Sequence, residues 1–189
     1  MELRSGVVRI IDVGGTVSFW EQRKWSGRDD IQITLVNLSP QTSRYENIVP
    51  VVADATDLSR FDDCSFDVAF SNSVIEHLGS YENQAAMGRE MQRVASAFWL
   101  QTPNFWFPIE PHFLVPGWQW LPFRLRVEIL RRFDCGWRAR TRDYTRARHL
   151  VAEIRLMKRS ELARIFPNAT LVRERFGLLT KSWIAYGGF

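Results

Sequence analysis

The chain has 189 residues, 46% hydrophobic and 24% charged, with 25 Lys and Arg against 21 Asp and Glu for a formal charge of +4. These proportions suit one ordinary globular domain, and the basic surplus is too small to argue for nucleic acid. No apolar run approaches the roughly 20 residues that span a bilayer. The start, Met1-Glu2-Leu3-Arg4, lacks the apolar stretch of a signal peptide, and Cys64 and Cys135 have no metal-like spacing. They read as free thiols of a reducing compartment, so the expected location is cytoplasmic.

Residues 7–13, Val-Val-Arg-Ile-Ile-Asp-Val, predict a buried parallel strand, and Gly14-Gly15 after it a tight turn where backbone can approach a ligand. A short irregular helix is expected over 19–25 and a second strand over 32–38, ended by Ser39-Pro40. Strands three and four fall at 48–53 and 66–71. Residues 81–96 carry Ala85, Met87, Met91 and Val94 at helical spacing. A fifth strand at 98–101 stops at Thr102-Pro103-Asn104, and a helix at 160–166 stops at Pro167-Asn168. Strands at 170–176 and 181–186, joined at Gly177-Leu178-Leu179, are too close for a crossover helix and must pair antiparallel. The expected fold is one α/β domain over 1–189: a mostly parallel seven-stranded sheet with an antiparallel C-terminal strand and helices on both faces.

Residues 104–150 stand apart, rich in aromatics, proline and arginine, with Phe105-Trp106-Phe107-Pro108, Trp118-Gln119-Trp120 and seven arginines from Arg124 to Arg142. An insertion after strand five, at the ligand edge of the sheet, is where a lid or substrate-binding subdomain belongs. The plainest reading of its arginines is a solvated helical face over a stripe of Leu125, Ile129 and Phe133. An anionic or lipid-linked acceptor with peripheral membrane contact comes second, and RNA last.

Five segments in order carry a family resemblance: Asp12-Val13-Gly14-Gly15, Asn37, Asp54-Ala55, Ser71-Asn72-Ser73-Val74-Ile75-Glu76-His77-Leu78 and Thr102-Pro103-Asn104. With the closing hairpin, the chain resembles a class I S-adenosylmethionine (SAM) dependent methyltransferase of the small-molecule type, with a Rossmann-like sheet. The resemblance implies that Asp12, Gly14, Gly15, Asn37, Asp54, Ala55 and Asn72 hold SAM. Asp12 would lie near the methionine ammonium, Asn37 near the ribose and Asp54 near the adenine amino group. Helix-cap or turn roles are the structural alternatives for Asp12, Asn37, Asp54 and Asp57.

Two departures from the family pattern stand out. Thr16 and Ser18 occupy positions where further glycines are usual. About six residues precede the first strand where one or two covering helices are usual, so an upstream segment, the insertion or a second subunit in a homodimer would supply the cover.

SAM carries an activated methyl, so the protein need only align a nucleophile and exclude water. A base serves only a neutral acceptor, and His77 and His112 are the candidates, with Glu110 beside His112. His77, His112 and His149 are scattered in sequence, so no metal site is expected. The expected activity is methyl transfer to a small or lipid-linked acceptor, at oxygen, by in-line displacement. A nicotinamide oxidoreductase would need a fuller glycine turn and leaves the hairpin unexplained. The alternative outside enzymology is a degenerate SAM-fold module that binds a partner or membrane without catalysis.

Overall fold

The computed structural model describes residues 6–189, so the reading of residues 1–4 lies outside the described residues. Seven strands form one sheet: β1 (Val8–Val13), β2 (Ile31–Asn37), β3 (Ile48–Val52), β4 (Phe66–Asn72), β5 (Ala95–Pro103), β6 (Thr170–Phe176) and β7 (Leu179–Gly187). Their order is β3-β2-β1-β4-β5-β7-β6. The first five run parallel, and β7 pairs antiparallel with both β5 and β6. Register brings Val13 beside Val36, Asn37 beside Val52 and Asn72 beside Gln101, so the carboxyl ends of the parallel strands share one edge.

Alternation along the strands divides the core between the two faces. Ile11, Val13, Val36 and Ala69 pack with Met87 and Met91 of α2 (Tyr81–Val94) and Leu162 and Ile165 of α5 (Arg159–Ile165). Ile10, Ile31, Ile33, Leu35 and Ile48 pack with Trp20 of α1 (Val17–Gln22). Among the described residues, α1 is the helix whose buried side chain joins the core on this second face. It leaves an apolar groove of about 410 Å³ among Phe19, Trp25, Phe70 and Trp99.

Most expected elements lie within two residues of their observed ends. The exceptions are α1, which ends at Gln22 and not at residue 25, and β5, which extends from Ala95 to Pro103. Ala95 and Ala97 have weak strand preference but fill tight core positions, both buried. Pro103 pairs with Ser182 at the last register position, where no further ladder bond is required of its missing N–H. The hairpin turn is shorter than expected. Phe176 faces Leu179, and Gly177 takes φ +59°.

Between β5 and α5 the insertion builds a second core of Phe113, Trp118, Val127, Leu130, Cys135, Ala147, Val151, Ile154 and Leu156. It extends past residue 150, and the chain returns at Met157, whose carbonyl accepts from Phe105 N at 3.1 Å. It holds α3 (Phe123–Arg132) and α4 (Tyr144–Glu153). The expected stripe on α3 holds at Ile129, which packs against this core, and fails at its other two positions. Leu125 and Phe133 are 46% and 62% exposed, and Val127 and Leu130 are the buried pair. They lie three apart on the opposite side of the helix, facing Trp118 and α4. Among the described residues no helix is long and apolar enough to cross a membrane.

Candidate active site

The β1 turn brings Asp12 and the two glycines together. Gly14 takes φ +86°, a left-handed conformation that disfavours a side chain. A Cβ on Gly15 would lie 1.8 Å from Asp12 Oδ2. Asp12 is buried, and its Oδ2 accepts from Trp20 Nε1 at 2.6 Å, while Oδ1 has no partner. Burial pushes its pKa up to about 7, against the Trp20 hydrogen bond and the Arg23 charge. Asp12 is therefore not the cap of α1; Thr16 stands at that N-cap.

Asn37 and Gln41 clasp this turn. Asn37 Nδ2 donates to Gly15 O at 3.2 Å, and Gln41 Nε2 donates to the same oxygen at 3.0 Å. The Asn37 amide thus serves the turn while the residue lines the cavity beside it. Asp54 and Asp57 cap no helix. Asp54 Oδ1 accepts from Thr56 N and Oγ1, both at 2.8 Å, and Asp57 Oδ1 accepts from Ser59 N at 3.1 Å. Both make side-chain turns in the β3–β4 loop.

Three cavities meet at the carboxyl edge. One of about 320 Å³ is lined by Gly14, Asn37, Asp54, Ala55, Ser73 and His77. A second, about 120 Å³, is lined by Asp12, Gly15, Asn72 and Ser73. A third, about 200 Å³, runs from Ser73 and Gln101 to Phe107, Ile109 and Lys181. Ser73 lines all three. It is held at φ +55°, and its Oγ donates to Gln101 Oε1 at 2.7 Å. A larger cavity of about 690 Å³ lies among Arg9, Gly27, Arg28 and Arg44, away from the strand ends where open α/β sheets bind ligands.

The sheet order with its reversed last pair and the ligand edge built on Asp12-Val13-Gly14-Gly15 agree with the sequence match. Residues 12–97 match the family described as "Methyltransferase domain". The fold is that of class I SAM-dependent methyltransferases, and the family match runs from β1 into β5. Similar solved structures include a SAM-dependent methyltransferase from Aquifex aeolicus, 11% identical, covering 95% of this chain and 80% of that one, TM-score 0.53. One from Methanosarcina mazei is 14% identical over 97% and 92% of the two chains, TM-score 0.51. A chain from the complex of the Haloferax volcanii Trm112 methyltransferase activator with a methyltransferase is 12% identical over 99% and 84%, TM-score 0.56. These are likenesses of fold. No curated protein matches the sequence.

The residues at this edge fit the SAM that the matching family implies. Asp12 Oδ1 is an orphaned buried oxygen beside the glycine turn, suited to a cation, and the turn leaves no room for a Cβ.

The histidines are not scattered in space. His77, in the 3₁₀ turn Ile75–Leu78, and His112, in the insertion, bring their Nε2 atoms to 3.1 Å. His149 is exposed on α4, outside this cluster. Glu110 Oε1 accepts from His112 Nδ1 at 2.6 Å, and Glu110 Oε2 accepts from the backbone N–H of His112 and Phe113. His77 Nδ1 lies 3.6 Å from Glu153 Oε1. Burial lowers the His77 pKa, aided by the His112 charge. Burial opposes charge on His112 too, but Glu110 outweighs it and the pKa is raised. Beneath them Glu76 is fully buried; its Oε2 accepts from Thr102 Oγ1 at 3.1 Å, and burial pushes its pKa up to about 7.

The family resemblance places Ser73 with Asn72 after strand four, beside the methyl donor, whereas Gln41 and Glu153 are new to the site. Ser73 sits in the quoted segment after β4, but only its backbone conformation shows that it joins the cavities. Gln41 and Glu153 carry no signal in the sequence.

Proposed function

We propose that the protein transfers the SAM methyl to oxygen of a small or lipid-linked acceptor. The single supporting observation is that Ser73 joins three cavities at the carboxyl edge of the sheet. Asp54, Ala55 and Asn37 would hold the adenosine side, and Asp12, Gly14, Gly15 and Asn72 the methionine side. The acceptor would enter along Phe107 and Ile109, under the 104–150 lid. When bound, SAM supplies an activated methyl, so the work of the chain is alignment and exclusion of water. His77 and His112 are the groups able to take a proton from an acceptor hydroxyl.

A lipid-linked acceptor is favoured over a freely soluble one by the outer side of the insertion. Trp137 is 81% exposed and Trp106, Trp120 and Phe133 are also exposed, among arginines. Amphipathic rings with arginines suit a membrane interface and phosphate groups. This reading keeps the protein in the cytoplasm.

Calorimetric titration with SAM, S-adenosylhomocysteine and NADH, followed by a screen of hydroxyl acceptors with radiolabelled SAM, tests the proposal. Binding of both adenosyl ligands but not NADH, with label in an alcohol, phenol or lipid-linked hydroxyl, is expected. SAM binding without turnover on any acceptor class would favour the non-catalytic module, and no SAM binding would overturn the proposal.

A further inference from the structure

The pair of imidazoles poses a proton-counting problem. The Glu110 carboxylate accepts from His112 Nδ1, so that nitrogen carries the proton and a neutral His112 presents a lone pair at Nε2. His77 Nδ1 faces the Glu153 carboxylate at 3.6 Å, which favours a proton there and again leaves Nε2 bare. Two lone pairs would then meet at 3.1 Å. A cation, an extra proton or a shift of the His77 proton to Nε2 relieves that contact, and the third donor nearby favours the cation.

A third donor converges on the same point. One carboxylate oxygen of Glu76 and one ring nitrogen from each of His77 and His112 all lie within 4.8 Å of one another. Glu76 is 0% exposed, and its Oε1 has no hydrogen-bond partner. An orphaned buried carboxylate oxygen needs a ligand. A metal with ligand bonds of about 2.1 Å in a tetrahedron holds its donors about 3.4 Å apart, so the 3.1 Å nitrogen separation already approaches a coordination edge. Both histidines also have a carboxylate on the far nitrogen, the arrangement that orients metal-bound imidazoles.

We propose that Glu76, His77 and His112 bind one divalent first-row transition-metal ion of the Zn²⁺ or Mn²⁺ kind. Two imidazoles and one carboxylate select such an ion over Mg²⁺ or Ca²⁺, which prefer all-oxygen shells. Three protein ligands leave coordination positions open. His77 is 35% exposed by side chain and lines the Asp54 cavity, so those positions face the ligand edge. An acceptor bearing an alcohol, diol or carboxylate oxygen would complete the shell. That last assignment rests on the O-methyl transfer reading; metal binding itself does not. The site joins the 3₁₀ turn after β4 to the insertion, so an ion there also fastens the two cores together.

The test uses the full chain, stripped with chelator and free of SAM, titrated with Zn²⁺ by calorimetry and with Co²⁺ by visible absorption. One ion per chain and a tetrahedral or five-coordinate Co²⁺ spectrum are expected. His112→Gln and Glu76→Gln should each weaken binding by about tenfold or more, and His149→Gln should leave it unchanged. Because Glu76 is buried, circular dichroism of each variant accompanies the titration, and the less buried His77→Gln provides a second ligand variant. No saturable binding by the wild-type chain, or equal binding by the His112→Gln and His77→Gln variants, would overturn the proposal and leave the imidazoles sharing a proton. SAM titration of the same metal-free samples reads the cofactor site separately, so failure of one reading does not imply failure of the other.

Discussion

The sheet half and the insertion half of the candidate site are built in different ways. In the sheet half, Asp12, Asn37, Asp54 and Asn72 end or follow successive parallel strands, and hydrogen-bonded register alone carries them to one edge. In the insertion half, His112 reaches the site through a Glu110 turn and a separate aromatic core. Polar links tie that core to the sheet domain, several of them through Arg155. Gln84 Nε2 donates to Arg155 O at 2.8 Å, and Arg155 N donates to Glu76 O at 2.8 Å. The carboxyl edge is thus set by the sheet, whereas the histidine cluster exists only while two cores stay docked.

The sharpest way to break this comparison is Trp118→Ala. Trp118 is fully buried and stacked on Phe113 at 4.3 Å, so its loss should cost roughly 3–5 kcal/mol in denaturant unfolding. Hydrogen exchange should show the loss concentrated in α3 and α4. Equal deprotection of β1 to β4 would mean that the two cores fold as one. This burial also makes Trp118 a packing residue, and Phe107, which lines the third cavity, the better probe of the acceptor.

Next in size is the pH response of the cofactor-free chain. Asp12 has a folded pKa of about 7 against an ordinary 3.8. The folded form therefore holds its proton more tightly, and this contribution is full below pH 3.8 and lost as pH rises through 7. The ceiling is about 4 kcal/mol, from about 1.36 kcal/mol per pKa unit. Asp12→Asn should flatten the fall in melting temperature between pH 4 and 8. An unchanged slope would mean that the buried carboxylate stays charged.

Gly15→Ala places a methyl against Asp12 and should destabilise by about 1–3 kcal/mol, with SAM affinity falling at least several-fold. Smallest is the contrast between two neighbouring acids. Asp54→Ala should weaken SAM binding by about tenfold, near 1.4 kcal/mol, and Asp57→Ala should change it little. Equal effects in a titration would remove Asp54 from the adenine side.

Local pattern sufficed where one strand or one turn makes the feature. The β-branched run before Gly14-Gly15 needed only its own residues to read as strand and turn, and the short spacing of β6 and β7 forced their antiparallel pairing. It failed where burial arises from partners far along the chain. Leu125 and Phe133 have the right spacing for a core stripe, but α3 meets Trp118 and α4 on its other side. The histidines are 35 positions apart, and neither has a motif that announces the other.

By itself, then, the sequence carried the resemblance to SAM-dependent methyltransferases, and it determined the class of fold and the strand ends that share the carboxyl edge. These follow from short-range steric and hydrophobic preferences repeated along the chain. Only the tertiary structure decided that Ser73 joins the cavities, that Asp12 bonds Trp20 instead of capping a helix, and that Glu76, His77 and His112 converge. Each of those depends on which side chain meets which across two cores, and that is settled by packing.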